Sequence, residues 1–279
     1  MKPRITVITI TYNSAATLEE TIRSVTMQDY PALEYVIIDG GSTDGTLDIV
    51  QKYKDQIQVV VSEPDKGISD AFNKGISRAT GEIIGIINSD DILLPGALQE
   101  VAAAYDPQVD VYSGLILFWN EETNETFPSY PDMTFDKLKL QYNVAHPARF
   151  VRKDAYQRYG LYRVDLRYMM DIELLVRFYK QGAKYLLVEK LLAKFRIGGT
   201  TNDPIYKKKE DYRAFVQSYG GSVWNFRRIW MQAVIKYNLI QLGYRLFGSN
   251  LKFKIQHNWL LKNRRSEERI SRNAETDIV

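Results

Sequence analysis

Carboxylates recur in three short polar stretches: Asp39 and Asp44 in DGGSTDGT (39–46), Asp65 in SEPDKG (62–67), and Asp90 and Asp91 in NSDD (88–91). Neither histidine, His146 or His257, is near them in the chain, and there is no cysteine. Disulfides, cysteine nucleophiles and thiolate metal sites are thereby removed, and the composition suits a reducing compartment. Converging oxygens without imidazole or thiolate favour a hard cation, Mg2+ or Mn2+, which takes few carboxylates and completes its shell with phosphate and water. A metal diphosphate is the natural ligand. TYNSA (11–15) has no glycine, so neither a dinucleotide fingerprint nor a P-loop is present. Asp39, Gly40, Gly41, Asp44 and Gly45 are also ordinary turn formers, and Asp90 or Asp91 could cap a following helix. Three such stretches in succession weigh toward chemistry.

These stretches need a frame that brings them together. RITVITIT (4–11), LEYVIID (33–39), IQVVVS (57–62) and IIGIIN (83–88) are Val- and Ile-rich runs of the kind buried on both faces of a parallel sheet. Between the first two stands TLEETIRSV, with Leu18, Ile22 and Val25 on one helical face. Further helical runs fall near 46–55, 68–80 and 96–105. The pattern predicts a doubly wound α/β layer over residues 1–110. Ligands of such sheets bind beyond the carboxyl ends of the strands, where the polar stretches lie. Past Asp110 the order is less regular: a strand-like VYSGLILFW (111–119), a turn-rich stretch to Asp136, and HPARFVRKDAY (146–156). An amphipathic helix begins at Asp171 (DIELLVRFYKQG), with Gly182 as a left-handed cap.

At 279 residues, 45% hydrophobic and 25% charged, the chain can bury one sizeable core. Its net charge of +3 hides an uneven distribution. Residues 1–200 carry 22 Lys and Arg against 27 Asp and Glu, and residues 201–279 carry 15 against 7. In the tail, Val223, Phe226, Trp230, Ala233, Tyr237, Ile240, Tyr244 and Phe247 keep an unbroken 3-4 spacing, with Arg227, Arg228, Lys236 and Arg245 between them. Such a helix either lies in a membrane interface, burying Trp224, Phe226, Trp230 and Phe247 within residues 222–265, or packs on the body or in a homodimer. No nucleic-acid motif accompanies the basic surface. Neither a secretory signal nor a spanning segment is expected, which predicts a cytoplasmic protein, peripheral on the inner face of the membrane if the tail binds there.

ITVITITYNSAATLEETIRSV, then EYVIIDGGSTDGT, SEPDKGISDAFNKGI and ATGEIIGIINSDD together resemble the nucleotide-sugar-dependent glycosyltransferases of family 2. The resemblance covers roughly residues 4–200. It implies the α/β GT-A fold, with a mixed, mainly parallel central sheet and C-terminal amphipathic helices. The catalytic domain would be 1–205, divided into a nucleotide-binding half (1–110) and an acceptor-binding half (111–205), with a basic helical tail at 206–279. Thr11, Tyr12 and Asn13 would line the nucleotide pocket with Gly41 and Asp65 alongside, and Asp39 would hydrogen-bond the base. NSDD falls on the metal-binding DxD position, with Asn88 in place of the first acid. Asn88 and Ser89 then serve the donor, Asp90 makes the direct metal contact and Asp91 supports it. Because Asn88 brings no charge, metal affinity is expected to be modest.

The resemblance also places Asp171 at the catalytic base, with Met170 where many relatives carry Glu; on spacing alone it could equally cap its helix. An aspartate with an ordinary pKa of ~3.9 is ionised at neutral pH and competent as a base. Lys66 and Arg196 are candidates to face the diphosphate, Gly198 and Gly199 to hinge a closing loop, and His146 to sit on the acceptor side. The implied reaction is inverting, metal-dependent transfer of a hexosyl group from a nucleotide-diphosphate sugar, UDP-sugar favoured, with Mn2+ or Mg2+. The acceptor would be a hydroxyl of a saccharide or lipid-linked saccharide, in synthesis of bacterial surface polysaccharide such as lipopolysaccharide. Two rivals stand beside it. A sugar-phosphate nucleotidyltransferase would need a glycine-rich N-terminal signature, which TYNSAATL is not. A non-catalytic nucleotide-sugar-binding module is kept open by Asn88 and weakened by the joint presence of Asp39, Asp90 and Asp171.

Overall fold

The structure is a computed structural model and describes residues 2–121, 123–131, 133, 135, 146–197, 205–219 and 223–247. The Val- and Ile-rich runs form β1 (Ile5–Thr11), β2 (Leu33–Asp39), β3 (Val59–Ser62) and β4 (Ile83–Asn88), joined through α1 (Leu18–Thr26), α2 (Thr46–Lys52) and α3 (Ile68–Arg78). β1 pairs in parallel with β2 and β4, and β2 with β3. Then come β5 (Ile92–Leu93), α4 (Ala97–Ala103), β6 (Val111–Asn120), β7 (Glu125–Ser129), β8 (Arg149–Arg152), α5 (Lys153–Tyr159), α6 (Met170–Lys180), β9 (Tyr185–Arg196), α7 (Lys209–Ser218) and α8 (Val223–Phe247). One nine-stranded sheet runs β3-β2-β1-β4-β8-β6-β9-β5, with β7 beside β6. β8, β7 and β5 run against the other strands, so the sheet is mixed and mainly parallel, as expected.

Side chains of the central strands β1, β2 and β4 alternate between two apolar layers. On β4, Ile83 and Ile87 face Leu18, Ile22 and Val25 of α1, Ile49 and Val50 of α2, and Leu98 and Val101 of α4. Ile84 and Ile86 face the other layer, built from Phe72 and Ile76 of α3, Tyr156 of α5, and Leu174 and Phe178 of α6. Each fully buried side chain of this size is worth about 1.5–3 kcal/mol, so both faces hold the sheet. Gly85 lies between them because the register sets it opposite Phe150 of β8. A Cβ there would stand 2.7 Å from Phe150 Cδ1 and 3.2 Å from Cζ. Gly85→Ala is therefore expected to destabilise the fold by about 1–3 kcal/mol through overpacking, read as a lower Tm.

Beyond Asp110 the structure adds elements that the pattern does not mark. HPARF folds as a 3-10 turn at 146–148 leading into β8, and residues 185–196 form a strand that pairs with β6 through a bulge. α6 begins at Met170, one residue before the expected Asp171, and Gly182 takes the anticipated left-handed backbone (φ +89°) just past its end. The same sheet runs on past residue 110, so β1–β5 and β6–β9 share it.

Candidate functional site

Parallel register puts Thr11 beside Asp39 and Ile10 beside Asn88, so the segments 12–15, 40–46 and 88–91 leave one edge of the sheet together. They are laced to each other. The Asn13 N–H donates to Ser42 Oγ (2.8 Å) and the Thr43 N–H to Asn13 Oδ1 (2.9 Å). The Ser14 N–H donates to Thr46 Oγ1 (2.8 Å), and the Ala15 N–H to Asp44 Oδ2 (3.0 Å). Ser89 Oγ lies 2.9 Å from Ser14 Oγ, joining the third segment to the first. Asn13 holds a left-handed backbone (φ +48°), which Asn tolerates better than most residues. Asp44 is held below the usual carboxylate range by the Thr46 hydroxyl and the Ala15 amide.

Asp39 is the knot of this lacing. Its carboxylate accepts from the N–H groups of Gly41 (3.1 Å) and Ser42 (3.1 Å), the Ser42 hydroxyl (2.5 Å) and the Ser62 hydroxyl (2.6 Å), and it is fully buried. A carboxylate accepts about four hydrogen bonds, and here the donors come from its own loop and from Ser62 at the end of β3. The open surface lies beside it. The Tyr12 ring is 63% exposed, and its Cδ2 is 3.4 Å from where a Cβ on Gly40 would stand. The Asp65 carboxylate crowds that same point while its Oδ1 accepts the Gly67 N–H (2.8 Å). Gly41 lies against Pro64 and Lys66 is exposed at the rim. Thr11, by contrast, is buried.

At the tip of β4, the two acids of NSDD have different surroundings. Asp91 is buried: Oδ1 accepts the Arg196 N–H (3.1 Å), Oδ2 meets Asn88 Nδ2 (3.4 Å), and its carbonyl accepts from Thr21 (2.7 Å). Burial, then the charge of Asp90, pushes its carboxyl well above the usual range. Asp91 thus supports the loop itself rather than offering oxygens to a cation. Asp90 is half-buried, and burial raises its carboxyl against a smaller opposing effect of Arg196. Arg196, expected to face the diphosphate, is engaged by protein groups beside the NSDD tip. Glu20 (2.9 Å) and Glu121 hold its guanidinium, Nε donates to the Asp90 carbonyl (3.1 Å), and Trp119 stacks beneath it at 4.5 Å.

Among the described residues no cluster of three or more His, Asp or Glu could hold a metal ion. The NSDD tip instead offers the Asp90 carboxylate, the Ser89 hydroxyl and the amide oxygen of Asn88, which is buried without a hydrogen-bond partner. An all-oxygen set with one carboxylate fits Mg2+ or Mn2+ whose shell is completed by phosphates and water.

The 146–148 turn packs on β4 and β9. The His146 ring stacks on Phe72 at 5.0 Å, and its Nδ1 is 3.4 Å from Asp171 Oδ1. Asp171 stands in the first turn of α6, but the N-cap is Met169, and no side chain of α6 caps the helix. The capping alternative for Asp171 is thus not what the geometry shows. Burial raises the Asp171 carboxyl, yet His146 and the Arg149 guanidinium outweigh burial and hold it below the usual range. Arg149 is buried on β8 with Nε 3.4 Å from Ser113 Oγ. His146 Nε2 and Arg149 Nη2 are buried without hydrogen-bond partners, and the buried Asp171 Oδ1 has only the long His146 Nδ1 contact. Unmet polar atoms of this kind are costly and mark a place built for a polar ligand. The side chain of Asp171 as a whole is still 21% exposed. Gly198 and Gly199 lie outside the described residues.

Asp211 was missed entirely. From the first turn of α7 its Oδ2 accepts the N–H groups of Arg167 (2.7 Å), Tyr168 (2.5 Å) and Met169 (3.1 Å), the segment leading into Asp171. It is a positioning residue. Charge-assisted hydrogen bonds are worth about 1.5–3 kcal/mol each, so Asp211→Ala is expected to lower kcat roughly 10- to 100-fold, with nucleotide affinity unchanged and Asp211→Glu partly restoring it.

Residues 6–163 match the family model "Glycosyl transferase family 2". A PGL/p-HBAD biosynthesis glycosyltransferase of Mycobacterium bovis (strain BCG / Pasteur 1173P2) is 30% identical over 217 residues, 74% of this chain and 82% of the relative. The crystal structure of S. aureus TarS 1-349 in complex with UDP-GlcNAc is similar at TM-score 0.62 and 19% identity, over 91% of this chain and 78% of that one. Mannosyltransferase PcManGT from Pyrobaculum calidifontis, in complex with GDP-Man and Mn2+, is similar at TM-score 0.62 and 20% identity, over 89% and 77%. These likenesses carry the GT-A fold. With a family model spanning more than half its length and a relative at this identity, the chain belongs to glycosyl transferase family 2.

Proposed function

We propose that the protein is an inverting, metal-dependent glycosyltransferase that moves a hexosyl group from a nucleotide-diphosphate sugar, UDP-sugar favoured, to a saccharide or lipid-linked saccharide. The observation that carries this is the Asp171 carboxylate, kept ionised beside the unpartnered polar atoms of His146 and Arg149. In this proposal residues 1–110 bind the donor, 111–205 the acceptor, and the basic tail at 206–279 brings the protein to the cytoplasmic face of a bacterial membrane. Surface polysaccharide synthesis, lipopolysaccharide included, is the corresponding role.

Asp171 takes the proton of the acceptor hydroxyl, whose oxygen displaces the nucleotide from the opposite face of the anomeric carbon. One carboxylate is enough, because a diphosphate is a stable anion and needs no protein acid, unlike the leaving group of a glycosidase. Mn2+ or Mg2+ held by Asp90, with Asn88 and Ser89 as neighbouring donors, would supply Lewis-acid stabilisation of the departing diphosphate. Tyr12 offers its ring to the base, Asp65 and Gly41 shape the slot, and Lys66 faces the phosphates. His146 lies between base and acceptor. Stacking of a base on an aromatic ring is worth about 1–3 kcal/mol, so Tyr12→Ala is expected to weaken UDP binding roughly 5- to 100-fold by calorimetry. Nucleotide release from a panel of activated sugars, with and without Mn2+ and with product mass detection, tests the whole assignment. Donor binding without turnover for every sugar and acceptor would turn it into a binding module.

A further inference from the structure

α8 carries two apolar faces where a single aromatic stripe was expected. At about 100° per residue, Phe226, Trp230, Ala233 and Tyr237 share one side of the helix. On that side Phe226 is buried and stacked with Trp230 (6.0 Å), and Trp230 meets Tyr212 of α7 at 5.6 Å. The stripe thus begins by packing on the protein, and Phe226 and Trp230 are not free for a membrane. The side chains of Tyr244 and Phe247 lie outside the described set.

The opposite side is a different surface. Trp224, Met231, Ile235, Leu239 and Leu242 fall within about 80° of one another at helical spacing, and each is between 53% and 75% exposed. Arg227 lies over the Trp224 ring at 5.3 Å and borders the strip, Arg228 falls within its angular span one turn beyond Trp224, Lys236 stands farther round the helix, and all three are exposed. From Tyr212 to Ser266 the chain has ten Lys and Arg and no Asp or Glu. No helix among the described residues is long and apolar enough to cross a membrane.

We propose that the Trp224–Met231–Ile235–Leu239–Leu242 face of α8 lies in the interface of an anionic lipid bilayer, with Arg227 and Arg228 meeting the headgroups. An apolar strip flanked by cations is the chemistry of an in-plane interfacial helix. Charge decides the occupant. A second copy would set this acid-free surface against itself, with cations on both sides and no carboxylate to pair them, whereas an anionic bilayer complements it. This deepens the membrane-facing part of the proposed function and does not rest on its chemistry.

The test is co-sedimentation of the full chain with vesicles of phosphatidylcholine, with and without a large fraction of phosphatidylglycerol. Binding is expected with phosphatidylglycerol and is expected to weaken as salt rises. Met231→Ser/Ile235→Ser/Leu239→Ser is expected to lower the partition coefficient about a hundredfold or more. Arg227→Glu/Arg228→Glu is expected to lower it roughly tenfold or more. Circular dichroism and UDP binding, measured on the same preparations, are expected to be unchanged, so a failure of this inference is separable from a failure of donor chemistry. Equal recovery in the supernatant with and without phosphatidylglycerol overturns it, as does equal sedimentation of the serine variant. A dimer in solution that the serine variant dissociates also overturns it, assigning the face to a second copy.

Discussion

Asp171→Asn is expected to abolish sugar transfer while the protein still binds its nucleotide. The substitution keeps shape and polarity and removes the capacity to accept a proton, worth about 10²–10⁴ in rate for a positioned general base, together with the negative charge that faces His146 and Arg149. Nucleotide affinity should hold, because the laced segments at 12–15 and 40–46 do not depend on α6. The pH profile adds an independent check. A base works only when deprotonated, so activity is full above its folded pKa and is lost as pH falls through it. His146 and Arg149 overcome burial and hold the Asp171 carboxyl below the usual range, so the acid limb of kcat/KM belongs below ordinary carboxylate titration. Retention of most of the transfer rate by the Asn variant, or a limb near neutrality, would remove Asp171 from the mechanism.

What the sequence made legible was whatever local pattern determines. β1, β2 and β4 announce themselves because both faces of each strand are buried, which demands unbroken Val and Ile. Once those strands are parallel, the polar stretches must emerge together, so their convergence followed. Long-range pairings did not. Asp39 finds Ser62 across to β3, Arg196 finds Glu20 and Glu121 from distant parts of the chain, and Asp211 reaches back to Arg167, Tyr168 and Met169. Nothing in the spacing of an aspartate says which donors will fill it. β9 escaped for a related reason: YLLVEKLLAKFR crosses a bulge against β6 and alternates poorly, so its apolar residues suit a helix as well as a strand. In α8 the aromatic stripe was visible, but the aliphatic face opposite it was not. Two apolar faces on one helix blur the periodicity that identifies either.

Asp90 and Asp91 are adjacent, and the structure predicts that their amide substitutions behave oppositely. Asp91→Asn keeps an oxygen for the Arg196 N–H and gives up the acceptor for Asn88 Nδ2. Transfer within about tenfold of the parent and an unchanged requirement for Mn2+ are expected, since one neutral hydrogen bond is worth about 1 kcal/mol. Asp90→Asn withdraws the single carboxylate that NSDD presents outward. A Lewis acid is worth several kcal/mol, so the loss is expected to be roughly 10²- to 10³-fold, matching chelation of the parent protein. The two losses should not add: chelating the Asp90 variant should cost little more, since both treatments remove the same contribution. Because Asn88 brings no charge, the Mn2+ concentration giving half-maximal activity should lie high and fall with Asn88→Asp. If chelation leaves the parent fully active while Asp90→Asn is dead, Asp90 acts on the donor directly and the metal assignment is wrong.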